Sequence, residues 1–218
     1  MKAFVSWSGG KETSLACYRA MQKNFGIRYL LNMVSEDGEY SRSHGITSKL
    51  LRLQAEEIGV PIVQRKTTWN TYEEEFKKAA LDFKKEGIEA GVFGDIDLQE
   101  HRDWIERVCQ DLDIRPILPL WNERREKLLE EFIQAGFKAI VIATNADFLE
   151  KEWLGQKIDK DFIKKLSALG NIDLCGEKGE YHTFVYDGPI FEKPVEFIIG
   201  KKIFKDKHWF LELLPKQS

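Results

Sequence analysis

The first two thirds of the chain alternate short apolar runs with longer segments whose apolar residues recur at helical spacing. The short runs predict strands at 3–7, 29–34, 62–65, 90–93, 117–120 and 138–143. The longer segments predict helices at 13–24, 47–58, 72–86, 100–112 and 124–135. Strand–helix–strand repetition of this kind is typical of an α/β fold with a Rossmann-like parallel sheet and helices on both faces.

The predicted helices carry signals at their ends. Thr47 stands just before one helical pattern and is a suitable N-cap. Four glycines fall just past helical patterns, where a left-handed residue is wanted: Gly26, Gly59, Gly87 and Gly136.

The pattern changes beyond about residue 145. A charged, helical stretch (FLEKEWLGQKIDKDFIKKLSALG) leads into a glycine-rich segment, CGEKGEYHTF. Three strand-like runs follow: VYDGPIF, VEFIIGKKIF and HWFLELL. We therefore expect two units, an α/β domain over 1–144 and a smaller α+β lobe over 145–218, packed closely with a cleft between them.

Composition narrows the class of protein. Of 218 residues, 43% are hydrophobic and 32% charged, an ordinary balance for a globular protein. The net charge of −3 gives no general basic field, which disfavours nucleic acid as a partner. The three cysteines lie far apart with no CxxC pair, which indicates reduced thiols. Because no run approaches the roughly 20 apolar residues of a membrane span, we expect a cytoplasmic protein that does not bind membranes.

A loop rich in glycine and hydroxyl residues follows the first predicted strand: Ser8, Gly9, Gly10, Lys11, Glu12, Thr13 and Ser14. In a parallel sheet, ligands bind beyond the carboxyl ends of the strands. Glycines let backbone N–H groups approach an anion, and the next helix adds its N-terminal partial positive charge. The pattern therefore favours a phosphate site over the alternative, a plain strand–helix turn with a Ser or Thr cap.

The loop fits neither common nucleotide pattern. GxxxxGK[ST] needs Lys directly before Ser or Thr, and GxGxxG needs a different glycine spacing. SGGKETS instead resembles the SGGxDS loop of the PP-loop, or N-type ATP pyrophosphatase, superfamily, with Glu12 for the usual Asp and Thr13 for the following Ser. This resemblance implies that ATP is a substrate and is cleaved between its α- and β-phosphates.

Three further segments narrow the resemblance. They are GDID at 94–97 with the nearby His101, Arg102, Glu106 and Cys109, PILPLW at 116–121, and CGEKGEYHTF at 175–184. In this order and spacing the chain resembles the diphthamide synthase (diphthine–ammonia ligase) family over nearly its whole length. The resemblance implies an adenine nucleotide alpha hydrolase-like fold and an AMP-forming ligase. Members use ATP to activate the diphthine carboxylate of translation elongation factor 2 as an acyl-adenylate, release pyrophosphate, and let ammonia displace AMP.

The resemblance gives each unit a role: 1–144 is expected to be the PP-loop ATP-binding domain and 145–218 the substrate-recognition lobe. Because the chain ends at Ser218 without room for a glutaminase domain, free ammonia is the expected nitrogen source. Formation of a homo-oligomer is left open. Two other functions also stay open, a PP-loop enzyme that modifies tRNA and a non-catalytic sensor of adenine nucleotides.

The nucleotide contacts are assigned to the first unit. The loop residues 8–14, Gly94 and His44 are expected to contact ATP, with a plain surface position as the alternative for His44. Lys11 is expected to stabilise the charge that grows on the leaving pyrophosphate, and a solvated lysine at the start of a helix is the alternative.

Two carboxylates and one arginine near the fourth strand complete the catalytic assignments. Asp95 and Asp97 follow an apolar run and are expected to hold Mg²⁺, which prefers a few carboxylates and substrate oxygens. N-capping of the next helix is an equal alternative for Asp97. Arg102 is expected to contact phosphate or carboxylate, and an exposed i,i+4 ion pair with Glu106 is the alternative.

The GEKGEYHTF segment is expected to bind the acceptor. The substrate that the resemblance implies carries a quaternary ammonium beside its carboxylate, and aromatic faces and carboxylates recognise such a cation. Glu177 and Tyr181 are the expected contacts, and Glu180 is assigned a catalytic role. His182 is placed on the substrate side as a proton relay from the attacking ammonia. A structural hairpin is the competing interpretation.

Overall fold

The structure, a computed structural model, describes residues 1–42 and 45–216. Its elements in chain order are β1 (Lys2–Ser6), α1 (Lys11–Gln22), β2 (Gly26–Val34), α2 (Ser48–Ile58), β3 (Ile62–Lys66), α3 (Tyr72–Lys85), β4 (Ala90–Val92), α4 (Gln99–Leu112), β5 (Arg115–Ile117), α5 (Arg125–Gln134), β6 (Lys138–Asn145), a 3-10 turn (Lys151–Trp153), α6 (Lys160–Ser167), β7 (Tyr181–Asp187), β8 (Phe197–Lys205) and β9 (His208–Pro215).

The first five strands form one parallel sheet in the order β3-β2-β1-β4-β5. Successive side chains of β1 point to opposite faces, and each face meets a different set of helices. Ala3 and Val5 pack into a core with apolar residues of α1, α2 and α5, whereas Phe4 packs with residues of α3 and α4. The predicted α/β fold with helices on both faces is confirmed.

The last four strands form a second, antiparallel sheet in the order β7-β6-β9-β8. The expected antiparallel character of the C-terminal lobe is confirmed. The strand β6, however, does not extend the parallel sheet as the alternation predicted, because it pairs with β7 and β9 instead. Its residues from Ala139 to Thr144 are all buried, so the sequence of β6 is one continuous apolar run that does not reveal the direction of its neighbours. The division at residues 144 and 145 stays a prediction.

The helix ends follow the sequence signals with one exception. The side chain of Thr47 accepts a hydrogen bond from the backbone N–H of Leu50 at 3.4 Å, which confirms the cap of α2. Gly59, Gly87 and Gly136 have φ values of 71°, 82° and 92°, as predicted. Gly26 was assigned wrongly, since it begins β2, and the left-handed residue after α1 is Asn24 with φ 60°. Asparagine tolerates this conformation better than most side chains.

Within residues 1–42 and 45–216, no helix is both long and apolar enough to cross a membrane. The two sheets meet where the loop after β1 lies against β7: the backbone N–H of Val185 donates to the carbonyl oxygen of Gly9 at 3.0 Å. This contact brings the C-terminal lobe onto the predicted phosphate loop.

Candidate active site

A cavity of about 530 Å³ opens at the carboxyl edge of the parallel sheet. The chain leaves β1 for β2 on one side, and β4 lies on the other side, so the strand order reverses beside β1. Such a reversal leaves a crevice in which α/β proteins bind ligands. The cavity walls come from the ends of β1, β2 and β4, the first turn of α1, and the segment that leads into β7.

The loop after β1 is held in a conformation that only glycine accepts. Gly9 has φ 79°, and a Cβ there would lie 2.4 Å from Cδ2 of Leu51. The carbonyl oxygen of Gly9 accepts hydrogen bonds from Val185 N and from Nε2 of Gln54 at 3.1 Å. The buried Gln54 also donates to the Val185 carbonyl oxygen at 2.6 Å and accepts from Trp7 Nε1 at 2.9 Å. The loop shape is therefore fixed by α2 and β7 as well as by its own glycines.

Gly94 brings β4 against the start of α1. A Cβ at this position would lie 2.9 Å from the backbone nitrogen of Thr13 and 3.0 Å from the carbonyl carbon of Glu12. Since the obstructing atoms are backbone, a side chain cannot be accommodated without moving the helix. Gly94 therefore sets how closely the end of β4 approaches the predicted phosphate loop.

The hydroxyl groups of the loop bond mainly to one another and to nearby backbone. Ser8 Oγ lies 3.2 Å from Thr13 Oγ1, and Ser14 Oγ donates to the Gly10 carbonyl oxygen at 2.9 Å. The backbone N–H of Lys11 donates to Oγ1 of Thr183 on β7 at 3.1 Å. Ser8, Lys11, Glu12 and Thr13 line the cavity, whereas Gly9, Gly10 and Ser14 are not on its described wall.

Lys11 is buried, with 3% of its surface exposed, which is unusual for lysine. Its Nζ donates to the carbonyl oxygen of Cys175 at 2.6 Å and forms an ion pair with Glu12 Oε1 at 2.6 Å. The same nitrogen lies 4.4 Å from the centroid of the Tyr181 ring. Burial is the largest single effect and lowers the pKa of Lys11, but the interactions with Glu12, Tyr181 and Cys175 together outweigh it, so the pKa is raised above its ordinary value. Lys11 is therefore a fixed positive charge at the helix start.

The segment before β7 is folded around two buried side chains. Both carboxylate oxygens of Glu180 accept backbone N–H groups, from Asp173 and from Lys178, each at 3.0 Å. The hydroxyl group of Tyr181 donates to the Leu174 carbonyl oxygen at 2.5 Å. Gly176 has φ 73°, and a Cβ there would lie 2.8 Å from the Tyr181 carbonyl oxygen. Glu180 thus holds this segment together and is not on the described cavity wall, and the ring of Tyr181 already contacts Lys11.

Three carboxylates line the cavity: Glu12, Asp95 and Glu177. Burial, followed by the nearby charge of Glu12, raises the pKa of Glu177 to about 8. Asp95 Oδ1 accepts a hydrogen bond from Nδ1 of His101 at 3.0 Å, and this bond raises the pKa of His101. Because its pKa lies above 7, Glu177 is mainly protonated at neutral pH, and each of the other two carboxylates has a basic partner, Lys11 for Glu12 and His101 for Asp95.

Asp97 is not among the described residues that line the cavity. Its two oxygens lie 2.9 Å and 2.7 Å from Nη2 of Arg125, whose Nε bonds to the carboxylate of Asp173. Asp97 does not cap α4 with its side chain, since the N-cap position is Leu98. Within the described part of the chain, no group of three or more His, Cys, Asp or Glu is arranged to hold a metal ion. Asp97 is therefore already paired with Arg125, and the assignment of Asp95 and Asp97 to Mg²⁺ stays a prediction.

The remaining predicted residues lie at different places. Arg102 Nε bonds to Glu106 Oε1 at 2.6 Å, and its guanidinium lies 4.9 Å from the centroid of the Trp121 ring; it is not among the described residues that line the cavity. His182 does line the cavity, and burial lowers its pKa to about 4, so the ring is neutral at pH 7. His44 lies outside the described residues.

Sequence reasoning missed an aromatic part of the wall. Trp69 from the loop after β3, Tyr72 from α3 and Trp104 from α4 all line the cavity. Trp69 and Tyr72 are three residues apart at the start of α3, but Trp104 comes from α4, and no local spacing brings it to them. Arg125 and Gln54 were also missed, because their partners are far away in sequence.

Comparison with known proteins places the chain in a family. The family model described as "Diphthamide synthase N-terminal domain" matches residues 1–116, and "Diphthamide synthase C-terminal domain" matches 124–215. Diphthine–ammonia ligases of Bos taurus and Homo sapiens are each 28% identical over 222 residues, covering 89% of this chain and 82% of theirs.

One solved structure is more distant. The predicted subunit of tRNA methyltransferase from Methanocaldococcus jannaschii is 16% identical with a TM-score of 0.45, over 84% of this chain and 95% of that chain, which is too remote for any inference.

The two family models together account for most of the sequence, including the SGGKETS loop and the GEKGEYHTF segment that carried the resemblance. The chain belongs to the diphthamide synthase family.

Proposed function

We propose that this protein is an ATP-dependent diphthine–ammonia ligase. It would convert the diphthine carboxylate on translation elongation factor 2 into an amide, with ammonia as the nitrogen donor. The observation that carries the proposal is the position of Lys11, a buried cation at the start of α1, on the wall of a cavity at the strand-order reversal. Membership of the diphthamide synthase family supports the reaction, as do relatives named diphthine–ammonia ligase.

The chemistry divides into two displacements. An oxygen of the acceptor carboxylate attacks the α-phosphorus of ATP, the bond to the β-phosphate oxygen breaks, and pyrophosphate leaves. Ammonia then attacks the carbonyl carbon of the acyl-adenylate, AMP leaves with the bonding electron pair, and the nitrogen loses a proton. Because charge grows on the leaving pyrophosphate, a fixed cation and a helix N-terminus beside it lower the barrier.

The residues of the chain supply positioning and electrostatics for these steps. Lys11 and the first turn of α1 would bind the phosphates, and Gly94 lets the end of β4 approach the backbone of that first turn closely. The ends of β1 and β2 supply Trp7, Leu31 and Met33 to the wall, a mostly apolar surface suited to a nucleoside. Mg²⁺ would enter the site together with the phosphates, because the carboxylate of Asp97 already forms an ion pair with Arg125.

The nucleotide products test the proposal. The protein is incubated with ATP, Mg²⁺, ammonium and elongation factor 2 that carries diphthine, and omission of each component is the control. We expect AMP and pyrophosphate to accumulate only in the complete mixture. Release of ADP, or AMP formation that depends on tRNA instead of the factor, would contradict the proposal.

A further inference from the structure

The strand β8 forms an open edge of the antiparallel sheet. It is last in the order β7-β6-β9-β8 and, among the strands that the structure describes, it pairs only with β9. Five apolar side chains of this hairpin are between 45% and 55% exposed: Ile198, Ile199, Ile203, Phe204 and Leu214. An edge strand with exposed apolar side chains and unpaired backbone groups is a template for pairing with another strand.

A bulge within β8 decides which of its side chains share a face of the sheet. Between Ile199 and Lys202 the pairing with β9 shifts by one residue, so that positions 200 and 201 together lie opposite Glu212. Cross-strand partners lie on the same face of a sheet. The residues opposite even-numbered positions of β9 include Ile198 and Ile203, and those opposite odd-numbered positions are Phe197, Ile199, Lys202 and Phe204.

The sequence of β8 from 197 to 204, FIIGKKIF, is self-complementary in an antiparallel pair. A two-fold axis between positions 200 and 201 brings the following residues of two copies opposite each other: Phe197 and Phe204, Ile198 and Ile203, Ile199 and Lys202, Gly200 and Lys201. Because the bulge reverses the alternation, the first three pairs also share a face, as direct cross-strand partners must. A symmetric interface needs such a pattern, since residue i contacts j and j contacts i.

Charges are also complementary in this register. The side chain of Glu212 lies against Gly200, in the space that a Cβ there would need, and its Oε2 accepts from the backbone N–H of Lys201 at 3.3 Å. Since Gly200 has no side chain, the carboxylate of Glu212 is the group that meets Lys201 of the second copy. The two-fold axis makes this contact twice. No lysine lies directly opposite another lysine.

We propose that the protein forms a symmetric dimer in which β8 pairs antiparallel with β8 of a second copy. The two four-stranded sheets then join into one sheet, and the exposed apolar side chains of both edges are buried at the seam. Lysines and a bulge usually keep an edge strand from pairing. In this register they lie opposite apolar residues or glycine, so they favour the second copy over an unrelated strand. The inference goes beyond the proposed function and needs neither ATP nor an acceptor.

Sedimentation equilibrium of the full chain tests the dimer. We expect a mass of twice 25.4 kDa at ~100 µM protein. Ile203→Glu should weaken the dimer about a hundredfold, because it buries two unpaired carboxylates at the seam. Leu169→Glu is the matched control, since Leu169 is 45% exposed and lies just past α6, outside the β8–β9 hairpin. A 25.4 kDa species alone at this concentration, or a dimer that Ile203→Glu leaves intact, would overturn the proposal.

A charge exchange tests the register of the two strands. Lys201→Glu and Glu212→Lys should each weaken the dimer about tenfold, because each variant places like charges across the two-fold axis. The double variant Lys201→Glu/Glu212→Lys should bind to within about threefold of the unchanged protein, since opposite charges face each other again. A double variant as weak as the product of the two single effects would show that these residues do not meet.

Hydrogen exchange provides a measurement that needs no substitution. The β8 amide groups that do not bond to β9 should exchange more slowly at ~100 µM protein than at ~1 µM, since the second copy accepts their hydrogen bonds. Amide groups of α6, measured in the same samples, are the internal control. Equal exchange of the β8 amide groups at the two concentrations, in a sample that sediments as a monomer at both, would rule out the paired edge.

Discussion

Lys11 Nζ donates a 2.6 Å hydrogen bond to the carbonyl oxygen of Cys175, a residue 164 positions later in the chain. This bond joins the first turn of α1 to the glycine-rich segment of the C-terminal lobe. The cation that would face the phosphates is thus held by the lobe that would receive the acceptor. Binding of the two substrates is therefore expected to be coupled through this one side chain.

Replacement of Lys11 tests its electrostatic role. Lys11→Met should reduce AMP formation by about a hundredfold or more, because a preorganised charge on the leaving group is lost. It should also lower the free energy of unfolding by about 3 kcal/mol, since the buried carboxylate of Glu12 loses its partner. The double variant Lys11→Met/Glu12→Gln should regain stability but not activity. Recovery of activity in the double variant would remove Lys11 from the mechanism.

Replacement of Gly94 tests the close approach of β4 to α1. Gly94→Ala should push the first turn of α1 away, at a cost of about 1–3 kcal/mol in the free energy of unfolding, and should weaken ATP binding. Gly26→Ala is the control, because a Cβ there would meet nothing closer than 3.9 Å. Denaturant unfolding and ATP titration measure the two effects. An unchanged ATP affinity in Gly94→Ala would show that this contact does not shape the nucleotide site.

Arg125 is the link between Asp97 and Asp173, and Asp173 in turn accepts from the Cys175 N–H at 2.8 Å. Arg125→Met should lower the free energy of unfolding by about 3 kcal/mol, because Asp173 is almost wholly buried. Arg107→Met, which breaks an exposed pair with Glu73, should cost about 1 kcal/mol or less. Equal losses in the two variants, measured by urea unfolding, would contradict a structural link at Arg125.

The raised pKa of Glu177 predicts that the stability of the protein depends on pH. Its pKa is about 8 in the folded state, against the ordinary 4.5, so the folded protein holds the proton more tightly than the unfolded chain. The stability that Glu177 contributes in its protonated form is fully present below the ordinary pKa and is lost as pH rises through about 8. The free energy of unfolding should therefore fall more steeply between pH 5 and pH 9 in the unchanged protein than in Glu177→Gln. Glu130→Gln, an exposed position on α5, should behave as the unchanged protein does.

Local patterns predicted most of the fold. The strands and helices of the parallel sheet follow from apolar periodicity, and Thr47 and three glycines mark helix ends because capping depends on near neighbours. The partners of β6 could not be predicted, since a strand with a continuous buried run suits either kind of sheet.

The same difference between local and distant contacts explains which parts of the candidate site could be predicted. The phosphate loop is contiguous in sequence, and its residues can be found by spacing alone. The contact of Trp104 with Tyr72, the Gln54 contacts and the Arg125 link depend on side chains that meet only in the folded chain. Tyr181 shows why residue type alone is not enough to predict a contact. Its ring suits a cation, as the sequence indicated, but the cation that it contacts is Lys11 of the same chain.

The mass of the acceptor tests the central claim most directly. Elongation factor 2 that carries diphthine is incubated with the protein, ATP, Mg²⁺ and isotopically heavy ammonium. The mass of the peptide that carries the modified residue is then measured by mass spectrometry. We predict replacement of one hydroxyl group by one amino group, with the heavy nitrogen retained in the product and one AMP formed for each amide. An acceptor whose mass is unchanged while ATP is consumed would contradict the account.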